Sequence, residues 1–209
     1  MYLPNSFKEE DLPTLHKLIE EASFGAVITV VEGQPVVSHL PFYLDASRGK
    51  FGTLLGHMAR ANKQWQTFRP DQELLVIFQG PHTYISPSWY DQSSGTSVPT
   101  WNYAVVHAYG PPRLIEDFEA KHDLLQVEVN TFEAGFAHPW KMELPHDYER
   151  RQIAAIVAFE IELTRLEGKF KLSQNRPEID RPLVIQTLEA SARDEDQKVA
   201  ALMREKYQS

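Results

Sequence analysis

Residues 24–31 read FGAVITVV, Glu32-Gly33 comes next, and residues 34–44 read QPVVSHLPFYL. The first run is apolar and β-branched, the dipeptide is a turn signal and the second run continues as extended chain, so the segment predicts a β-hairpin. The same pattern recurs on either side. Ser47-Arg48-Gly49 turns into a strand over 50–57, and strands at 73–79 and 82–86 flank a Gly80-Pro81 turn. Residues 100–115 are extended with a break at Gly110-Pro111-Pro112. In 157–163, Val157, Phe159, Ile161 and Leu163 alternate with Ala158, Glu160 and Glu162, which predicts one core face and one partly solvated face.

Helical spacing lies between and beyond these runs. Asp11 is placed to cap a helix carrying Leu12, Leu15, Leu18, Ile19 and Ala22, with Pro13 tolerated in its first turn. Residues 59–68 read as a short helix. Residues 116–153 open as charged helical sequence, DFEAKHDLLQVEVN, and become irregular through TFEAGFAHPWKMELPHDY, an excursion outside the sheet. The tail, 182–207, reads as helix with Asp194 as a cap. About seven strands with helices outside predict a closed or split β-barrel, mainly β with flanking helices, rather than a βαβ sheet. No repeat or linker divides the chain, so 1–209 is expected to be a single domain.

The chain has no cysteine, which excludes a disulfide scaffold, a thiolate metal site and a cysteine nucleophile. Its start, MYLPNSFKEEDL, lacks the basic and apolar regions of a signal peptide, and no long apolar run occurs, so a cytoplasmic, non-membrane protein is expected. A net charge of −8 repels nucleic acid, and no basic recognition helix offsets it, so direct DNA binding is not expected. Neither GxGxxG nor GxxxxGK[ST] is present. His39, His57, His82 and His107 form no HxH or HExxH pair, which argues against a metal site.

Three clusters carry candidate chemistry. In residues 56–65, GHMARANKQW, a strand passes into a helix; Arg60, Asn62 and Lys63 are donors suited to a phosphate, and Trp65 is placed to shield them. The alternative is an ordinary helix start with Trp65 in the core. In residues 168–176, GKFKLSQNR, donors follow one another at a strand end, either for a ligand or simply for solvent. Residues 79–90, QGPHTYISPSWY, followed after a Gly/Ser loop by VPTWNY at 98–103, interleave aromatic and small polar residues. That suits a flat conjugated ring, with Gln79, Tyr84 and Trp101 as candidates, or else a rigid aromatic hairpin.

Together with MYLPNSF at the start, SHLPF at 38–42, FQGPHTYISPSWY, VPTWNYAVVHAYG and LEGKFKLSQNR, these segments resemble the PaiB family in order over nearly the whole chain. The resemblance implies a split β-barrel of the pyridoxamine-phosphate-oxidase-like type, a homodimer and FMN as cofactor. It also implies a negative transcriptional regulator of protease and sporulation genes that senses or carries flavin. It places Ser38 and His39 near the flavin, and His57, Arg60 and Asn62 around the phosphate. Lys171, Ser173, Gln174, Asn175 and Arg176 come from the later segment. A flavin-dependent oxidoreductase and a haem-binding split-barrel protein are the alternative readings.

Overall fold

The computed structural model describes residues 1–91 and 97–208; the Gly/Ser loop of the sequence reading falls at 92–96, outside the described residues. The hairpin forms as expected. β1 (Lys8–Glu9) and α1 (Leu12–Glu21) precede β2 (Phe24–Val31) and β3 (Gln34–Asp45). Val31 pairs with Gln34 around a two-residue turn in which Glu32 has φ 50° and Gly33 φ 81°. Positive φ at both positions is what a tight hairpin of this twist requires. Asp11 caps α1 through Thr14 N–H at 3.0 Å.

The remaining elements are β4 (Thr53–Ala59), β5 (Leu74–Ile85), β6 (Thr100–Gly110), β7 (Pro112–Ile115), α2 (Phe118–Glu133), α3 (His146–Ala154), β8 (Ile156–Glu162), β9 (Arg165–Lys171), α4 (Asp180–Glu189) and α5 (Asp194–Gln208). The sequence reading differs in four places. Residues 59–68 hold only a 3-10 helix, Lys63–Thr67, in which Gln64 rather than Trp65 is the buried residue. The LEGKFK segment is itself a strand, β9, and the C-terminal helical region is two helices. Gly80-Pro81 is no turn, because β5 runs straight through it. A Cβ on Gly80 would lie 2.6 Å from Leu18 Cδ1 and 3.2 Å from the Ala104 carbonyl, so this glycine serves close approach instead of chain reversal.

The chain forms two compact units. The first comprises the described residues of 1–18, 79–106 and 167–209. Its hydrogen-bonded strand order is β1-β9-β6-β5, and Val184, Leu188, Val199 and Met203 of α4 and α5 are fully or almost fully buried. The second comprises 19–78 and 107–166, with strand order β5-β2-β3-β4-β8-β7. Its core is aromatic: Phe42 meets Phe78 and Phe159 edge-on, and Phe68 meets Phe159 at 5.0 Å. Val157, Phe159 and Ile161 of β8 and the following Leu163 are buried as their alternation predicts. Ala158, on the opposite face, is buried as well. The 116–153 excursion folds as α2 and α3, and Leu124, Glu128 and Ile153 on them are buried within this unit.

Candidate functional site

In the first unit, strand alternation sends Asn102, Ala104 and Val106 of β6 inward and turns Trp101, Tyr103 and Val105 to the other face. Gln79 and His82 of β5 join them around a cavity of about 390 Å³ lined by Gln79, His82, Trp101, Tyr103, Ala104 and Val105. Trp101 is half exposed, at 50%. Its ring lies 6.3 Å from that of His82 and meets Tyr84 edge-on at 6.1 Å. Gln79 Nε2 sits 3.4 Å from His82 Nδ1.

β9 supplies the charge. The KFK spacing buries Phe170 and sends Lys169 and Lys171 to one face. Lys171 Nζ donates to Thr100 Oγ1 and, at 2.7 Å, to the Trp101 carbonyl. Lys169 Nζ donates to the Tyr2 carbonyl at 3.0 Å and lies 5.6 Å from the Tyr103 ring. Burial, helped by the charge on Lys169, holds Lys171 below the ordinary lysine range. Among the described residues neither ammonium has a carboxylate within ion-pair distance. A flat ring can therefore find aromatic faces and an edge amide at the cavity, with two ammonium groups on β9 beside Trp101 and Tyr103 that have no acid partner among the described residues, a donor set that fits FMN.

The other residues of that segment are engaged in holding the chain. Ser173 has φ 70°, is 2% exposed and accepts from Asn102 Nδ2 at 2.9 Å. Gln174 closes on its own backbone, accepting from Leu172 N–H at 2.6 Å and donating to the Phe170 carbonyl. Arg176 is bonded to buried Asp180 and to Ser97, with its guanidinium 4.0 Å from the Tyr90 ring. Asn175 is exposed.

Within the second unit, Asn62 Nδ2 donates to Ser38 Oγ at 2.8 Å, and exposed His39 stacks on Phe24. Arg60 spends Nε and Nη2 on the carbonyls of Ala154 and Ile156, at 2.8 and 2.9 Å, and its own carbonyl accepts from Trp65 Nε1. His57 pairs with Glu128, a partner 71 positions away that no sequence motif announces. Tyr103, Lys169 and the cavity role of His82 were also missed from the candidate set. The signal was present in the period-2 spacing of Trp101 with Tyr103 and of Lys169 with Lys171. No group of three or more metal-ligating side chains occurs among the described residues.

Residues 1–165 match the family described as "Putative FMN-binding domain". The chain is 36% identical over 208 residues to "Protease synthase and sporulation protein PAI 2" of Bacillus subtilis, covering 99% of this chain and 98% of that one. Among solved structures it is similar to the FAD and heme binding protein from Mycobacterium smegmatis, with TM-score 0.59, 16% identity and coverage of 78% and 73%. It is also similar to the flavocytochrome Anf3 from Azotobacter vinelandii, with TM-score 0.56, 15% identity and coverage of 78% and 69%. Among the described residues no helix is long and apolar enough to cross a membrane. The chain belongs to this FMN-binding family and has a mainly antiparallel split-barrel fold with flanking helices, similar to that of these solved structures.

Proposed function

We propose that this chain is a cytoplasmic, homodimeric FMN carrier that reports flavin to gene control, as the name of its Bacillus subtilis relative suggests for protease synthesis and sporulation. The observation that carries the reading is the aromatic and cationic face around Trp101, Tyr103, Lys169 and Lys171. Trp101 and Tyr103 offer the flavin ring its contact surface, Gln79 its edge hydrogen bond, and Lys171 with Lys169 the charge for the phosphate. Within the second unit, Asn62 with Ser38 and His39 is the second place to look for contacts to the cofactor. Bound FMN supplies reversible one- and two-electron chemistry. The chain's own part is to hold the ring on one face and keep its phosphate neutralised. The −8 charge favours a sensor that acts through another component over direct operator contact.

The exposed side of the hairpin supports a second copy as partner. Phe24 is 65%, Val30 67% and Val37 48% exposed, and Ile28 pairs directly with Val37. An apolar strip of this kind on paired strands calls for a cover.

The deciding experiment is an absorption spectrum of the purified chain before and after FMN, followed by NAD(P)H and, in a separate cell, haem. A flavin spectrum without sustained NAD(P)H turnover fits the carrier reading. Steady turnover with an electron acceptor makes the chain an oxidoreductase, and haem uptake without FMN uptake overturns the reading.

A further inference from the structure

The second unit holds a cavity that the flavin reading leaves unused. It measures about 450 Å³, and its lining includes Arg60 at the end of β4, Glu116, Phe118 and Lys121 around the start of α2, and Arg150 and Ile153 of α3. Three cations face one carboxylate. Arg60 is fixed from three sides: its N–H donates to the Ala155 carbonyl at 2.8 Å, and its Nε and Nη2 bond the flanking carbonyls of Ala154 and Ile156. Its Nη1 has no bond among the described residues. Arg150 is held by an aromatic face instead of an acid, with its guanidinium 4.9 Å from the Phe118 centroid.

Elsewhere among the described residues most arginines are paired with acids, Arg69, Arg151 and Arg181 being the exceptions. Arg48, Arg113, Arg165, Arg176 and Arg204 each lie within 4.0 Å of a carboxylate oxygen. Arg60, Lys121 and Arg150 have no such partner among the described residues, yet all three line one cavity. Arg60 and Arg150 are exposed and Lys121 is half-buried, so an anion entering the cavity comes within reach of all three cations. Phe118 and Ile153 add an apolar wall beside them.

We infer that this cavity binds a small phosphate monoester with a flat or apolar body. Arg60 Nη1, Lys121 and Arg150 take the phosphate oxygens as charge-assisted donors, and Phe118 and Ile153 take the body. Glu116 favours a ligand that also carries a hydroxyl or amine donor. The site is independent of the flavin reading.

The test uses the full chain saturated with FMN and titrates phenyl phosphate by calorimetry, with inorganic phosphate and phenol as separate probes. Phenyl phosphate should bind more tightly than either probe. K121Q/R150Q should weaken it at least tenfold while leaving the flavin spectrum and melting temperature unchanged. If the double variant melts early, K121Q alone should still weaken phenyl phosphate severalfold, and Arg150→Lys should retain part of the affinity. Absence of saturable binding in the millimolar range overturns the proposal. So does equal binding by the variants, or inorganic phosphate binding as tightly as the ester. Displacement of FMN by phenyl phosphate also overturns it, because the cavity would then belong to the cofactor.

Discussion

Nδ1 of His57 on β4 lies 2.8 Å from Oε2 of Glu128 on α2, and the Glu128 side chain is only 6% exposed against 27% for His57. The pair fastens α2 to β4, and its two members differ in what their loss leaves behind. Removing His57 strands a buried carboxylate, whose other oxygen, Oε1, already has no hydrogen-bond partner. Removing the charge of Glu128 strands no acid in the interior and leaves the His57 ring, which is 27% exposed although its Nδ1 is buried. His57→Ala should therefore cost about 1–3 kcal/mol, the range for leaving a buried polar group without its partner, and Glu128→Gln distinctly less. Urea unfolding of both variants checks the order, and equal losses would refute it.

The flavin face predicts separable effects. Trp101→Ala should weaken FMN and riboflavin alike by roughly three- to tenfold, the scale of an aromatic pair. Lys171→Met should weaken FMN by about 1.5–3 kcal/mol, the range for hydrogen bonds to charged groups, and spare riboflavin, which lacks the phosphate. Fluorescence quenching titrations with the two flavins read both arms. A Lys171 variant that loses riboflavin equally would place the phosphate elsewhere.

Dimerisation can be probed on the hairpin, whose residues line neither cavity. Val37 is 48% exposed and sits opposite Ile28, so Val37→Lys puts a charge in the middle of the apolar strip without disturbing the core. Light scattering at micromolar concentration should give a dimer for the parent chain and a monomer for the variant. A parent chain that scatters as a monomer would remove the second copy from the proposal.

Asp196 links stability to pH. Burial pushes its carboxyl upward, but hydrogen bonds from Ser191 and Thr83 and the charge of Arg193 prevail, and its pKa is lowered. A depressed carboxylate stabilises the fold above its unfolded pKa, and that contribution is lost as pH falls through the folded value. The parent chain should lose stability below about pH 4, the ordinary aspartate range. Asp196→Asn should be less stable at neutral pH and show a shallower acid dependence. Melting curves from pH 7 to 3 decide, and parallel curves would exclude Asp196 as a source.

Gly110 marks a backbone crossing. A Cβ there would lie 2.2 Å from the Glu162 carbonyl oxygen and 2.8 Å from Ile161 Cγ2. The first contact is backbone and cannot swing away, so Gly110→Ala should cost about 1–3 kcal/mol, as overpacking does. Gly135, with nothing within 4 Å of its added Cβ, is the control, and Gly135→Ala should stay within about 0.5 kcal/mol.

The sequence by itself determined the hairpin, the core face of β8, the α1 cap and the family, because each rests on neighbours two to four positions apart or on long unusual motifs. Alternation fixes which way Phe159 points wherever the strand lies, and Glu32-Gly33 closes its turn without help from the rest of the chain. Only the tertiary structure decided what the glycines and charges are for. Gly80 reads as a turn until Leu18 and Ala104 occupy the space its side chain would need. Arg60 reads as a free phosphate donor until the carbonyls of Ala154 and Ile156 take two of its N–H groups. His57 shows no acid beside it until α2 brings Glu128 within 2.8 Å. Local pattern encodes which face is apolar, whereas the partner of a polar group depends on residues tens of positions away, and folding alone brings them within hydrogen-bond range.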